Sequence, residues 1–252
     1  MFLRVSLLIL LFFSFSSCTS KVTILKGTDK EIYDSIVSEV NKKRKWLILG
    51  GTDYGVLEDL ITTLQIRYPY SIYTREIYLL SGEVSYKRKR WGFAINRYQE
   101  FIKNHPSHPK VNYAKYKIFK SNSKLMRDKD NDINPALDII KMYETLPDDF
   151  KQDEYFKDTT NIYTAAKKFV LKRAIYISRF YIKKEEYKSA YSRIENAKSS
   201  IPEMVSNSYE AQYLLIFCLS KMKDHDYIIE DLKNEYKKKF PKSPFLKEIN
   251  KI

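Results

Sequence analysis

Apolar residues recur along most of the chain at the three- and four-residue spacing of amphipathic helices. In the clearest stretch, Tyr73 to Lys87 predicts one helix, Trp91 to Lys103 predicts a second, and Pro106 ends the pattern. Gly82 on the first helix and Ala94 on the second are small enough to let two antiparallel helices approach closely. We therefore predict one helical hairpin here.

Large residues complete the pattern of this hairpin. Tyr98 and Phe101 follow Ala94 on the second helix, where they can fill the groove toward the next hairpin. The order small, small, large, large, stop is typical of a tetratricopeptide repeat of about 34 residues.

Similar hairpins are predicted on both sides. The first repeat begins near Lys30, and the third begins at Pro109. The fourth uses the second half of Asp153 to Lys184, which is either one long helix or two, and the fifth runs from about Ser206 to Pro241. We predict an all-α fold, an α-solenoid of about five tetratricopeptide-type hairpins. The presence of only six glycines and eight prolines supports it.

Two local expectations complete the fold prediction. We expect the last eight or so residues to be frayed. The second helix of the first repeat should bury one apolar face, formed by Val56, Leu57, Leu60, Ile61 and Leu64.

The N-terminus has the pattern of a secretory signal. Arg4 provides a positive start, and the apolar segment of residues 5–13 is too short to span a bilayer stably. Small residues precede Cys18, as in the lipobox of bacterial lipoproteins, where this cysteine is acylated. Thr19, which is not aspartate, is compatible with the outer membrane. The alternative is a plain secretory signal with an incidental cysteine.

We accordingly divide the chain into four parts. Residues 1–17 are the signal peptide, and residues 18–29 are the lipidated cysteine and a tether. Residues 30–150 hold repeats 1–3, and residues 151–252 hold repeats 4 and 5.

Charge adds little to this prediction. The formal net charge is +14, and the excess is largely lysine spread along the chain. This distribution favours an ordinary solvated surface over nucleic-acid binding, and no nucleic-acid motif is present.

The sequence predicts neither catalysis nor a metal site. It contains no GxSxG, GxxxxGK[ST] or HExxH motif. Cys218 lies in an apolar run and is interpreted as a core residue, and we expect no disulfide. His105 and His108 are interpreted as loop or capping residues. The aspartates at 128, 130 and 132 lack the glycine and distal glutamate of a calcium loop. We predict no cofactor and no enzymatic activity.

Tyrosines are abundant, with 21 in the chain. Most are expected to pack between helices. The functional alternative is that some line a groove for an extended peptide with aromatic ends, because tyrosine gives a large contact area with one polar group. The candidates for this substrate-peptide site are Tyr68, Tyr73, Tyr78 and Tyr86.

The segments RYPYSIY, FIKNHPSHPKVNYAKY and YSRIEN, at these spacings behind a lipobox, resemble the BamD family. These are lipoproteins of the machinery that inserts β-barrel proteins into the outer membrane of Gram-negative bacteria. The resemblance implies five tetratricopeptide repeats, no enzymatic activity and a lipid anchor at the periplasmic face of the outer membrane. It also implies partnership with BamA and other BAM lipoproteins, and N-terminal repeats that receive unfolded outer-membrane proteins.

The same resemblance implies a partner site. Family members carry an arginine on the BamA side of the fourth repeat, and Arg193 falls on that motif, with Glu195 two residues on. The alternative is that the two residues are a surface pair that has no partner. Two functions of other classes remain as alternatives: an adaptor lipoprotein for cell-wall or division proteins, and, more remotely, a helical transferase or hydrolase.

Overall fold

A computed structural model describes residues 26–41, 54–126, 132–222 and 226–252. The predicted signal peptide, Cys18 and most of the predicted tether lie outside these ranges, as does most of the charged insertion after Met126.

Within the described residues, regular secondary structure is entirely α-helical, and the predicted fold class is confirmed. The helices are α1 (Asp29–Asn41), α2 (Tyr54–Arg67), α3 (Ile72–Lys87), α4 (Trp91–Asn104), α5 (Val111–Leu125), α6 (Asn134–Glu144), α7 (Asp148–Lys151), α8 (Phe156–Ile182), α9 (Tyr187–Ser200), α10 (Pro202–Ser206), α11 (Tyr209–Ser220), α12 (Asp226–Lys239) and α13 (Leu246–Ile249). Among these helices none combines the length and apolar character needed to cross a membrane.

The chain divides into two compact units, residues 1–77 and residues 78–252. In the first unit α1 packs on α2, with Ile36, Leu57 and Leu64 fully buried between them. Val56 was expected on this buried face, but it is 45% exposed because it lies about 100° around the helix from the fully buried Leu57, outside the face that meets α1. The functional division of the chain at residue 150 remains a prediction.

In the second unit successive helices stack in chain order. Helix α4 packs on α5, α6 on α8, α8 on α9, and α9 on α11, which in turn packs on α12. Each hairpin thus buries its apolar face against its neighbour in sequence, the packing rule of helical repeat proteins. The largest apolar cluster lies along α8 and includes Ala166, Val170, Ile194 and Leu214.

The segment from Asp153 to Lys184 forms one long helix, α8, after a short turn. Its buried residues Ile162, Ala166, Val170 and Ala174 are spaced by four and follow one face for three turns. Continuous packing on that face explains why the helix does not break.

The turns that connect α3 to α4 and α8 to α9 have the same geometry. Lys89 and Glu185 each have a φ of 61°, in the left-handed region that favours glycine. The Arg90 amide donates to the Ser85 carbonyl at 2.9 Å, and the Glu186 amide donates to the Tyr181 carbonyl at 3.0 Å. Two non-glycine residues therefore carry the same backbone strain at equivalent positions.

The C-terminal residues are ordered, so the prediction of fraying was wrong. Ile249 on α13 is fully buried and packs with Ile216 and Tyr236. The Tyr236 hydroxyl shares a 2.6 Å hydrogen bond with Ser243. The burial of Ile249 and the hydrogen bond between Tyr236 and Ser243 thus anchor the last turn.

Candidate functional site

A small polar network joins the first two hairpins of the second unit. Glu83 on α3 accepts hydrogen bonds from the Tyr98 hydroxyl at 2.6 Å and the Tyr113 hydroxyl at 2.7 Å. Lys117 on α5 reaches the other carboxylate oxygen at 3.1 Å, and its ammonium lies 3.8 Å from the centre of the Tyr86 ring. One carboxylate thus ties helices α3, α4 and α5 together.

Burial and this carboxylate determine how the two tyrosines ionise. Burial first, and the neighbouring negative charge of Glu83 second, raise the pKa of Tyr98 well above its usual range. Burial and the hydrogen bond to Glu83 raise the pKa of Tyr113 as well. Both hydroxyls therefore stay protonated donors at neutral pH.

Gly82 has a more specific role than the sequence predicted. A Cβ atom built on Gly82 would lie 2.6 Å from the Tyr98 ring, which is fully buried. Gly82 makes room for the Tyr98 ring, and not only for the small side chain of Ala94. The approach of the ring over Gly82 is what brings its hydroxyl to Glu83.

A second aromatic group follows on α5 and the start of α8. Tyr116 stacks on Tyr155 with ring centres 4.8 Å apart, and Tyr113 meets Tyr155 edge-on at 5.7 Å. Asp158 accepts from the Tyr116 hydroxyl at 2.7 Å and from Lys120 at 3.0 Å. Burial, with a hydrogen bond to Glu154, raises the pKa of Tyr155 to about 12.

The four tyrosines proposed for substrate binding all have partners inside the protein. In the first unit the Tyr68 hydroxyl donates to the Gly27 carbonyl at 2.7 Å, and the Tyr73 ring lies 5.0 Å from that of Tyr33. In the second unit Tyr86 meets Trp91 edge-on at 5.0 Å, and Tyr78 packs near His105. All four are half-buried, so each supports the fold whatever else it contacts.

An exposed apolar group that the sequence did not predict lies beside Tyr68 and Tyr73. Tyr70 is 99% exposed, and its neighbours Ile66 and Ile72 are 72% and 61% exposed. The only sequence signal was the position of Tyr70 between Pro69 and Ser71, a loop in which no helical face can bury its ring.

Arg193 and Glu195 face different neighbours on α9. The Arg193 guanidinium lies 5.4 Å from the centre of the Tyr181 ring. Glu195 lies 3.5 Å from Lys198 and lines a cavity of about 310 Å³ between α9, α11 and α12. Residues two apart on a helix do not face each other, so the structure does not bring these two side chains together.

The remaining polar candidates have structural roles. Cys218 is fully buried, and burial raises the pKa of its thiol to about 12, which confirms it as a core residue. His108 accepts a hydrogen bond from the Lys110 amide at 3.1 Å, as a capping residue would. In the parts of the chain that the structure describes, no three acidic, histidine or cysteine side chains form a group that could hold a metal ion.

These stacked hairpins place the chain in the class of all-α, tetratricopeptide-type helical repeat proteins. The chain belongs to the YfiO family, described as outer membrane lipoprotein, whose family model matches residues 28–216. The resemblance inferred from the sequence motifs is thereby confirmed.

Relatives carry a consistent name. The chain is 24% identical over 209 residues to the outer membrane protein assembly factor BamD of Neisseria gonorrhoeae, covering 79% of this chain and 77% of the relative. It is 24% identical over 211 residues to the protein of the same name in Neisseria meningitidis serogroup B, covering 79% and 78%. Both relatives are named as assembly factors and not as enzymes.

Proposed function

We propose that this chain is a non-enzymatic lipoprotein scaffold of the machinery that assembles β-barrel proteins in the outer membrane. The observation that carries the proposal is the family match, which extends across nearly all the helical hairpins rather than one of them. A repeat protein of another family would share the hairpins, but it would not have relatives named as outer membrane protein assembly factors.

In this proposal the C-terminal repeats bind the periplasmic domains of BamA, and Arg193 lies at the contact. Its guanidinium is exposed and rests on Tyr181, which holds the charge at the surface without neutralising it. Glu195 is the second proposed partner residue. Because it lines the neighbouring cavity instead, it would act from a different side of α9.

Co-purification tests this proposal. The mature protein, extracted in mild detergent, should bring BamA with it, and Arg193→Glu should reduce the recovered BamA at least ten-fold. Lys188→Glu on the same helix is the matched control, since Lys188 is also exposed, and it should retain BamA. Recovery of the chain without BamA, with normal levels of barrel proteins after depletion, would falsify the scaffold role. Recovery with cell-wall or division proteins would favour the adaptor alternative.

The N-terminal repeats are proposed to receive unfolded outer-membrane proteins through Tyr68, Tyr73, Tyr78 and Tyr86. A fluorescent peptide with an aromatic C-terminus would measure this by anisotropy. Tyr73→Ala and Tyr86→Ala should weaken binding, whereas Tyr227→Ala, which changes an 81% exposed ring on α12, should not. Melting curves must accompany each variant, because Tyr73 and Tyr86 also pack against other rings.

The anchor is proposed to be the acylated Cys18, which would place the protein at the periplasmic face of the outer membrane. The Cys18→Ala protein should move from the membrane to the soluble fraction. If it remains membrane-bound, the proposed anchor is wrong.

A further inference from the structure

From Thr159 onward, helix α8 and the turn that follows it carry an acid-free cationic surface. Between Thr159 and Lys184 the sequence contains seven lysines and arginines and neither aspartate nor glutamate. Helices α4 and α12 mix the two signs and form short-range ion pairs, such as Arg97 with Glu100 at 2.9 Å and Lys233 with Glu230 at 3.0 Å. Helix α5 also has lysines without acids, but its Lys117 and Lys120 pair with Glu83 and Asp158 on neighbouring helices. The charge of α8 is therefore not simply the lysine-rich background of the chain.

The cations of α8 surround exposed aromatic rings. Tyr176 is 67% exposed and Phe180 is 49% exposed. Arg173 lies 5.9 Å from the centre of the Tyr176 ring, and Lys184 lies 4.6 Å from that of Phe180. Together with the cations of the turn that follows, these residues continue one face of α8, which we call the α8 strip: Lys172, Arg173, Tyr176, Phe180, Lys183 and Lys184.

The cations of the strip lack neutralising partners. In the described part of the chain, no carboxylate forms an ion pair with Lys172, Arg173, Lys183 or Lys184, although Arg179 on the same helix pairs with Glu210 at 2.7 Å. Cations spaced by four, such as Lys168 and Lys172, repel each other and weaken a helix by about 0.2–0.5 kcal/mol per pair. An anionic partner would remove this cost.

The strip contains a recess. Lys172, Arg173 and Tyr176, together with the half-buried Phe169, line a notch of about 320 Å³. Two aromatic rings offer apolar contact, and two cations lie beside them. This is the chemistry that accommodates an apolar side chain flanked by carboxylates.

We propose that the α8 strip is a docking surface for an acidic protein segment that places one aromatic or aliphatic side chain in this notch. An anionic membrane is the less favourable occupant, because a flat surface does not need a notch. Glu185 and Glu186 are exposed directly after the strip and would be repelled by a continuous anionic plane, whereas a discrete segment can avoid them. The strip contains neither Arg193 nor Glu195, so this inference and the BamA contact can fail independently.

The test uses the purified mature chain and a fluorescent glutamate-rich peptide with one central phenylalanine. Anisotropy should show binding that weakens with salt. The double variant Lys172→Glu with Arg173→Glu should lose at least ten-fold in affinity, and Tyr176→Ala should lose several-fold. The control is Lys238→Glu with Lys242→Glu, which makes the same change in net charge at two exposed lysines outside α8 and should bind like the wild type.

Three results would overturn the proposal. In the first, the α8 double variant binds the peptide as well as the wild type while its helical content is unchanged. In the second, replacing the central phenylalanine by alanine has no effect, so that charge alone explains binding. In the third, phosphatidylglycerol vesicles bind through Lys172 and Arg173 while the peptide does not, which would assign the strip to a membrane.

Discussion

The Lys117 ammonium lies 3.1 Å from the Glu83 carboxylate, and the two residues are 34 positions apart in the chain. That separation equals one tetratricopeptide repeat, so Glu83 and Lys117 occupy the same position in successive hairpins. A charge pair between equivalent positions fixes the register of one repeat on the next. The side chains of Lys117 and Glu83 are only 11% and 19% exposed, so their loss should be felt in stability.

Glu83→Gln tests this pair. The amide oxygen can still accept from Tyr98 and Tyr113, which share one carboxylate oxygen, but the amide NH₂ then faces the Lys117 ammonium. We expect a loss of about 2 kcal/mol in the free energy of unfolding. The double variant Glu83→Gln with Lys117→Met should lose less than the two single changes added together, because no buried charge is left unpaired. Additive losses in urea denaturation would show that the pair is not coupled.

Gly82→Ala should destabilise the chain although alanine favours helices. The added Cβ would lie 2.6 Å from the buried Tyr98 ring, and overpacking of this kind costs about 1–3 kcal/mol. The higher helix propensity of alanine offsets up to about 1 kcal/mol of this cost. Gly92→Ala on α4 is the matched control, since nothing lies within 4 Å of its Cβ position, and it should be neutral or stabilising. Thermal melts should therefore show a lowered Tm for Gly82→Ala and an unchanged or raised Tm for Gly92→Ala, and equal shifts would refute this explanation of Gly82.

Glu185→Gly should stabilise the α8–α9 turn. Glu185 has a φ of 61°, where a side chain costs about 1–2 kcal/mol relative to glycine. Part of that gain is lost to the greater freedom of glycine in the unfolded chain, so we expect a net gain of about 0.5–1 kcal/mol. The neighbouring Glu186→Gly is the control. Its φ is −87°, in ordinary backbone space, so that change should bring no gain.

Alkaline pH should weaken the second unit. In the unfolded chain tyrosine ionises near pH 10, whereas the pKa values of Tyr98 and Tyr113 are raised above that in the folded protein. The folded state then binds more protons, so the stability from these groups is fully present below about pH 10 and is lost as the pH rises further. Each such group lowers the free energy of unfolding by up to about 1.4 kcal/mol for each pH unit above this value. Unfolding measured from neutral to alkaline pH should show a shallower decline for Tyr98→Phe, and an unchanged slope would contradict the assignment.

Ile249→Ala should cost about 2–4 kcal/mol if the C-terminal turn is as well packed as its full burial indicates. Lys251→Ala, at an exposed position two residues on, should stay within about 0.5 kcal/mol of the wild type. Equal stability of the two variants would restore the view that this terminus frays.

The sequence predicted the α3–α4 hairpin to within a residue at its boundaries, because periodic apolar positions, small residues and Pro106 all agree there. It left α8 open as one helix or two, since the absence of glycine and proline permits a long helix without requiring one. The order of the terminus depends on Ile249, a single residue whose contacts with Ile216 and Tyr236 are not visible in a local pattern.

The candidate surfaces were less predictable. Tyr68 and Tyr70 lie in the same loop, yet one donates a hydrogen bond to Gly27 and the other is almost fully exposed. Composition alone made the basic charge look evenly spread. The structure shows that the cations of α8 share a face with Tyr176 and Phe180, which only the helical register of an unbroken α8 can establish.

That unbroken helix also has a mechanical consequence. With 27 residues, α8 is roughly 40 Å long and contacts both the hairpin before it and the hairpin after it. A loop between repeats can bend, whereas a continuous helix resists bending. Bending within the second unit is therefore opposed at its centre, where α8 joins two hairpins without a loop between them.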